Sequence, residues 1–189
     1  MRLFTAVLPP PGALTELAGA VERLKGLPDA DRLRWARPEG WHFTLAFLGE
    51  VDEALLPGLR ERLARAAHRH PAFGLRLAGG GRFGDRVLWV GVEGDRTALR
   101  RLADSVTAQV RRAGVPTEDR PYKPHLTVAR AGRTARRVDL RPYAAALGGF
   151  SGSDWRAEEF ALVRSHLPSS GVPGEHPRYE TLEAWPLGR

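Results

Sequence analysis

Two stretches, WHFTLAFLG (41–49) and KPHLTVARA (123–131), limit what this chain can fold into more than any other part of it. Each alternates as a β-strand does, and in a strand residues i and i+2 point to the same side. His42 and Thr44 therefore share one face, continued by the small Ala46, while Phe43, Leu45 and Phe47 share the other. His125, Thr127 and Ala129 repeat the first face, Leu126 and Val128 the second, 83 positions further on. Such strands need an apolar cover on one side only. A lone histidine on a strand is ordinary structure. With six His and nine Thr in 189 residues, chance supplies about 0.3 His-x-Thr triplets, so two in matched settings ask for a functional reason.

The rest of the chain supplies the covers. RLFTAVL (2–8) predicts a strand stopped by Pro9 to Pro11, and residues 12–25 carry Leu14, Leu17, Ala18, Val21 and Leu24 at helical spacing. RLRWA (32–36) predicts a short strand. Residues 53–68 and 95–113 predict two more helices, the latter stopped by Gly114 and Pro116. Residues 72–83 and 87–93 form a hairpin through Gly84-Asp85, with the glycine run of GGGRFGD (79–85) read as a turn. YAAALGGF (143–150) predicts a helix fragment, and 158–167 and 178–187 two closing strands. Short strands outnumber helices, so the expected class is α+β with antiparallel pairing rather than a doubly wound parallel sheet. The halves look alike in outline, a helix and then a His-x-Thr strand, as an internal duplication would leave them.

Composition removes several chemistries. There is no cysteine, hence no disulfide, thiolate nucleophile or Cys-ligated zinc. The start of the chain lacks a secretory h-region and cleavage site, and no stretch approaches the ~18 apolar residues of a membrane span. A soluble cytoplasmic protein without membrane partners is expected. Net charge is +7, and only Lys25 and Lys123 among the basic residues are lysine, an imbalance that codon bias explains. From Arg111 to Arg137, however, eight basic residues (Arg111, Arg112, Arg120, Lys123, Arg130, Arg133, Arg136, Arg137) face only Glu118 and Asp119. That surplus suits a phosphate or polyanion partner; a solvated charged face gives the same pattern.

If the two His-x-Thr strands lie side by side, two imidazoles and two hydroxyls line one cleft. In-line displacement at phosphorus needs a base on one side and an acid on the other, and imidazole serves as both near neutral pH. The threonine hydroxyls can donate to non-bridging oxygens. A metal site would want a third ligand, yet each motif brings one His and no carboxylate, so no cofactor is expected. His68, His70, His166 and His176 read as structural or exposed. Neither a Gly-x-Ser-x-Gly elbow nor a Walker A loop occurs.

Paired His-x-Thr motifs of this kind, with RLFTAV, WHFTLAFLGEV, RVLWVGV, RPYKPHLTVAR and RYETLEAWPL in that order, resemble the 2H phosphoesterase superfamily, and within it the RNA 2′,3′-cyclic phosphodiesterases, also called 2′-5′ RNA ligases. The resemblance covers nearly the whole chain. It implies one bilobal domain over residues 1–189, two antiparallel sheets with flanking helices and a central cleft. It also implies opening of a terminal 2′,3′-cyclic phosphate to a 2′-phosphate. The implied partners are RNA ends such as tRNA fragments, or cyclic mononucleotides, met by a monomer. His42 would protonate the leaving 3′-oxygen, His125 would activate water, and Thr44 and Thr127 would hold the phosphate.

Arg130 matches an arginine of that family. Being five residues after His125, it points away from the cleft in a regular strand and reaches in only if the strand ends or bulges near Ala129. Phe4 can offer a ring for base stacking or pack in the core; Trp41 and Tyr122 carry the same two readings. The reverse reaction, 2′-5′ joining, and a non-catalytic RNA-binding module are the alternatives.

Overall fold

The structure is a computed structural model that describes residues 1–132, 137–172 and 174–189. Its strands form two sheets, and every pairing in them is antiparallel. The first sheet has four strands: β3 (Phe43–Glu50), β1 (Arg2–Val7), β8 (Glu159–His166) and β9 (Arg178–Pro186), in that spatial order. The second has five: β2 (Leu33–Trp35), β6 (Leu126–Ala131), β5 (Val87–Gly94), β4 (Phe73–Phe83) and β7 (Trp155–Ala157). The expected α+β class with two antiparallel sheets is therefore found.

Among the described residues four α-helices cover the outer faces. α1 (Pro11–Leu24) and α4 (Arg141–Gly148) pack on the second sheet, α2 (Leu56–Arg69) and α3 (Arg96–Arg112) on the first. α1 opens on Pro11, whose fixed φ suits the first helical turn, and buries Leu17, Val21 and Leu24. α3 is capped by Asp95, whose carboxylate accepts from Ala98 N at 2.9 Å. It buries Leu99, Leu102, Val106 and Val110 one above another and ends at Gly114, where φ of 88° favours glycine. Leu17, Leu59, Leu99 and Leu126 belong to one hydrophobic core that runs beneath both sheets. No helix among the described residues is long and apolar enough to cross a membrane.

Three local expectations change. The glycine run 79–81 is no turn: it lies inside β4, and the chain reverses at 84–86. A Cβ on Gly80 would stand 2.3 Å from Leu147 Cβ in α4, and one on Gly81 2.4 Å from the Trp89 ring, so these glycines admit a helix on one side and an indole on the other. β7, only three residues long, is too short for its alternation to be foreseen. Both His-x-Thr strands also begin later than the alternation suggests, at Phe43 and Leu126. Each histidine thus stands just before its strand rather than within it.

Candidate active site

The two motif strands share one backbone irregularity. β3 pairs with β1 as Ala6↔Thr44 and Thr5↔Ala46, which leaves Leu45 unopposed. β6 pairs with β5 as Trp89↔Thr127 and Leu88↔Ala129, which leaves Val128 unopposed. Each is a β-bulge at the residue after the threonine, and an extra residue reverses the in–out alternation beyond it. Ala46 and Ala129 were expected to extend the polar faces; both instead turn into the core, 7% and 1% exposed. The fifth residue after each histidine swings into the cleft in their place. That residue is Phe47, expected in the core and found 64% exposed, and Arg130, which opposes Val87 on the face that carries Trp89 and Thr127.

The histidines are held alike. His42 Nδ1–H donates to Gly40 O and His125 Nδ1–H to Lys123 O, each at 2.7 Å. A carbonyl can only accept, so each Nδ1 carries the proton and each Nε2 is left for chemistry.

Their surroundings differ. His42 stacks on Phe4 with centroids 4.6 Å apart and takes the edge of Tyr179 at 5.4 Å. His125 meets the edge of Phe83 at 4.7 Å and lies 6.4 Å from Trp89. Burial pushes the proton affinity of both below the usual imidazole range. The backbone carbonyls oppose that shift, and the Arg130 charge deepens it at both rings. His125 also lowers His42. Arg130 further draws down the Tyr179 phenol, which burial raises. Two imidazoles, a guanidinium and a phenol thus surround one space. A small pocket opens from it beside His42, lined by Phe4, Leu8, Tyr179 and Thr181 with Glu39 at hand.

Phe4 and Tyr122, read from sequence as either ligand-facing or core rings, both pack against buried side chains. Phe4 is 5% exposed, gathered with Ala6, Ala161 and Val163, and its face is taken by His42. Tyr122 packs against the main core with an enclosed hydroxyl that has no hydrogen-bond partner among the described residues, and burial holds its proton affinity far above the usual phenol range. Trp41 is buried as well. Within the basic run 111–137, Arg111 pairs with Asp119, Arg120 with Glu118 and Arg137 with Asp85. Arg133 and Arg136 lie outside the described residues. Sequence reasoning missed Phe83, Trp89 and Tyr179 as cleft residues. Tyr179 alternates with Thr181 in RYETLEAWPL, the only trace of it in the sequence.

Two antiparallel sheets with helices on their outer faces match a known family in sequence and in fold. The chain belongs to the 2′-5′ RNA ligase superfamily, whose sequence profile matches residues 10–168. An RNA 2′,3′-cyclic phosphodiesterase of Thermus thermophilus is 33% identical over 99% of this chain and 90% of its own length. A protein of the same name from Geobacillus stearothermophilus is 32% identical over 81% of the chain, and the match spans about half of that relative, 47%. Among solved structures, E. coli LigT complexed with 3′-AMP superposes with a TM-score of 0.78 at 28% identity, covering 100% of this chain and 98% of LigT.

Proposed function

We propose that this chain opens the 2′,3′-cyclic phosphate at the end of an RNA to a 2′-phosphate, as one bilobal unit with the reaction between its two sheets. The observation that carries this reading is the matched pair of histidines, each with Nδ1–H tied to a carbonyl and each feeling the charge of Arg130. His125 Nε2 takes a proton from water as the water oxygen bonds to phosphorus. The bond from phosphorus to the 3′-oxygen breaks, and protonated His42 delivers its Nε2 proton to that oxygen. One water is consumed, a 3′-hydroxyl and a 2′-phosphate are formed, and the histidines exchange protons with solvent to reset. Each proton transfer is worth about 10²–10⁴-fold.

Thr44 and Thr127 donate to the non-bridging oxygens, and Arg130 offsets the charge that gathers on them. The entering phosphate anion raises both histidines back toward the range where one is charged and the other neutral. Phe4 serves by holding His42 flat rather than by stacking on a base, and Tyr122 by packing. A binding module would gain nothing from two imidazoles in the same tautomer. A metal-free route is supported by the lack, among the described residues, of any group of three His, Asp or Glu that could hold a metal ion.

The test is a short RNA ending in 2′,3′-cyclic phosphate, incubated with the protein in excess EDTA. A 2′-phosphate product is expected. A 3′-phosphate would reverse the geometry of the leaving oxygen, and activity restored only by a divalent ion would end the two-histidine route.

A further inference from the structure

The bulge that brings Arg130 into the cleft also places it beside a second arginine. In the antiparallel pair β2–β6, Arg34 directly opposes Arg130, and directly opposed residues project from the same face. Trp35, the next residue, sends its indole the other way to Ala30 O at 2.9 Å and lies against Tyr143. Arg34 is exposed. No carboxylate pairs with Arg34 or Arg130 among the described residues. Asp29 pairs with Arg32, and Asp85 with Arg82 and Arg137.

Like charges opposed across a ladder repel. The arrangement makes chemical sense where anions come to lie on it. Arg130 is within reach of both histidines, so the reacting phosphate is its anion. Arg34 stands one strand further out, about 4.8 Å away in the pairing direction. β2 is an edge strand, so no further strand of the sheet blocks a chain leaving the cleft there.

We infer that Arg34 binds the phosphodiester on the 5′ side of the terminal nucleoside, so that the enzyme distinguishes an oligonucleotide end from a cyclic mononucleotide. The inference rests on the cyclic-phosphate reading above and adds a second phosphate subsite to it. A fork of guanidinium donors suits that anion.

The experiment compares KM for 2′,3′-cyclic AMP with KM for the dinucleotide ApA ending in a 2′,3′-cyclic phosphate. The native protein is expected to favour the dinucleotide. In Arg34→Ala and in the neutral, polar Arg34→Gln that preference should shrink about tenfold, the worth of a charged hydrogen bond. The salt slope of dinucleotide binding should fall by about 0.7, one phosphate on a single strand. Replacing the internal linkage by a neutral methylphosphonate should cost the native protein the same factor and cost Arg34→Ala nothing. An unaltered preference in both variants, or an equal methylphosphonate penalty with and without Arg34, overturns the subsite. A native protein that opens neither substrate overturns the cyclic-phosphate reading itself, and the subsite with it.

Discussion

The two halves of the site use one backbone device for different ends. Each strand bulges after its threonine and turns the fifth residue past the histidine toward the cleft. On β3 that residue is Phe47; on β6 it is Arg130. His42 is clasped between Phe4 and Tyr179, whereas His125 has Phe83 at its edge and lies near Trp89. The difference teaches that two strands can be equivalent in backbone while the chemistry of their side chains diverges. The half that holds His42 is aromatic and enclosed. The half that holds His125 also supplies the positive charge of Arg130.

The severest test of that division is to remove each histidine. His42→Ala and His125→Ala should each lower kcat by at least about 10²-fold, and the double variant by much less than the product, because the pair acts as a unit. A single variant with near-native kcat would remove that histidine from the reaction.

Next comes the charge. Arg130→Gln should lower kcat/KM by about 10²-fold, the scale for losing one donor to a developing anion. Arg130 lowers both imidazoles, so its removal should raise both and move the pH profile of kcat/KM to higher pH. Phe47→Arg puts a charge on the other half and should move the profile the opposite way. Its two limbs belong to the coupled pair rather than to either ring. A profile fixed in both variants would show that the fifth positions do not face the histidines.

Smaller effects sharpen the aromatic side. Tyr179→Ala removes an edge contact to His42 worth about 0.5–1.5 kcal/mol and should reduce kcat by roughly the corresponding 2–10-fold; Tyr179→Phe keeps the ring and should retain the native rate. Smallest of all, Phe47→Ala should leave thermal stability within about 0.5 kcal/mol of native, since its side chain is mostly in solvent. A larger loss by calorimetry would mean that Phe47 is a packing residue after all.

Local pattern alone was enough for much of this protein. Helical spacing located α1, α2 and α3, and prolines and glycines bounded them. The repeated His-x-Thr alternation marked the two strands that matter and put His42 with Thr44 and His125 with Thr127. These features depend on neighbours a few residues away, which the sequence displays. The facing of Ala46, Phe47, Ala129 and Arg130 depends on bulges at Leu45 and Val128, and a bulge is a mismatch between two strands that nothing within one strand reveals. The glycines of β4 gained their meaning only from Leu147, far along the chain, and from Trp89 across the hairpin. Arg34 met Arg130 across nearly a hundred residues, because β2 pairs with β6. Sequence fixes periodicity and chemistry; which side chains share a cleft is decided by pairing register, and register is a property of the assembled sheets.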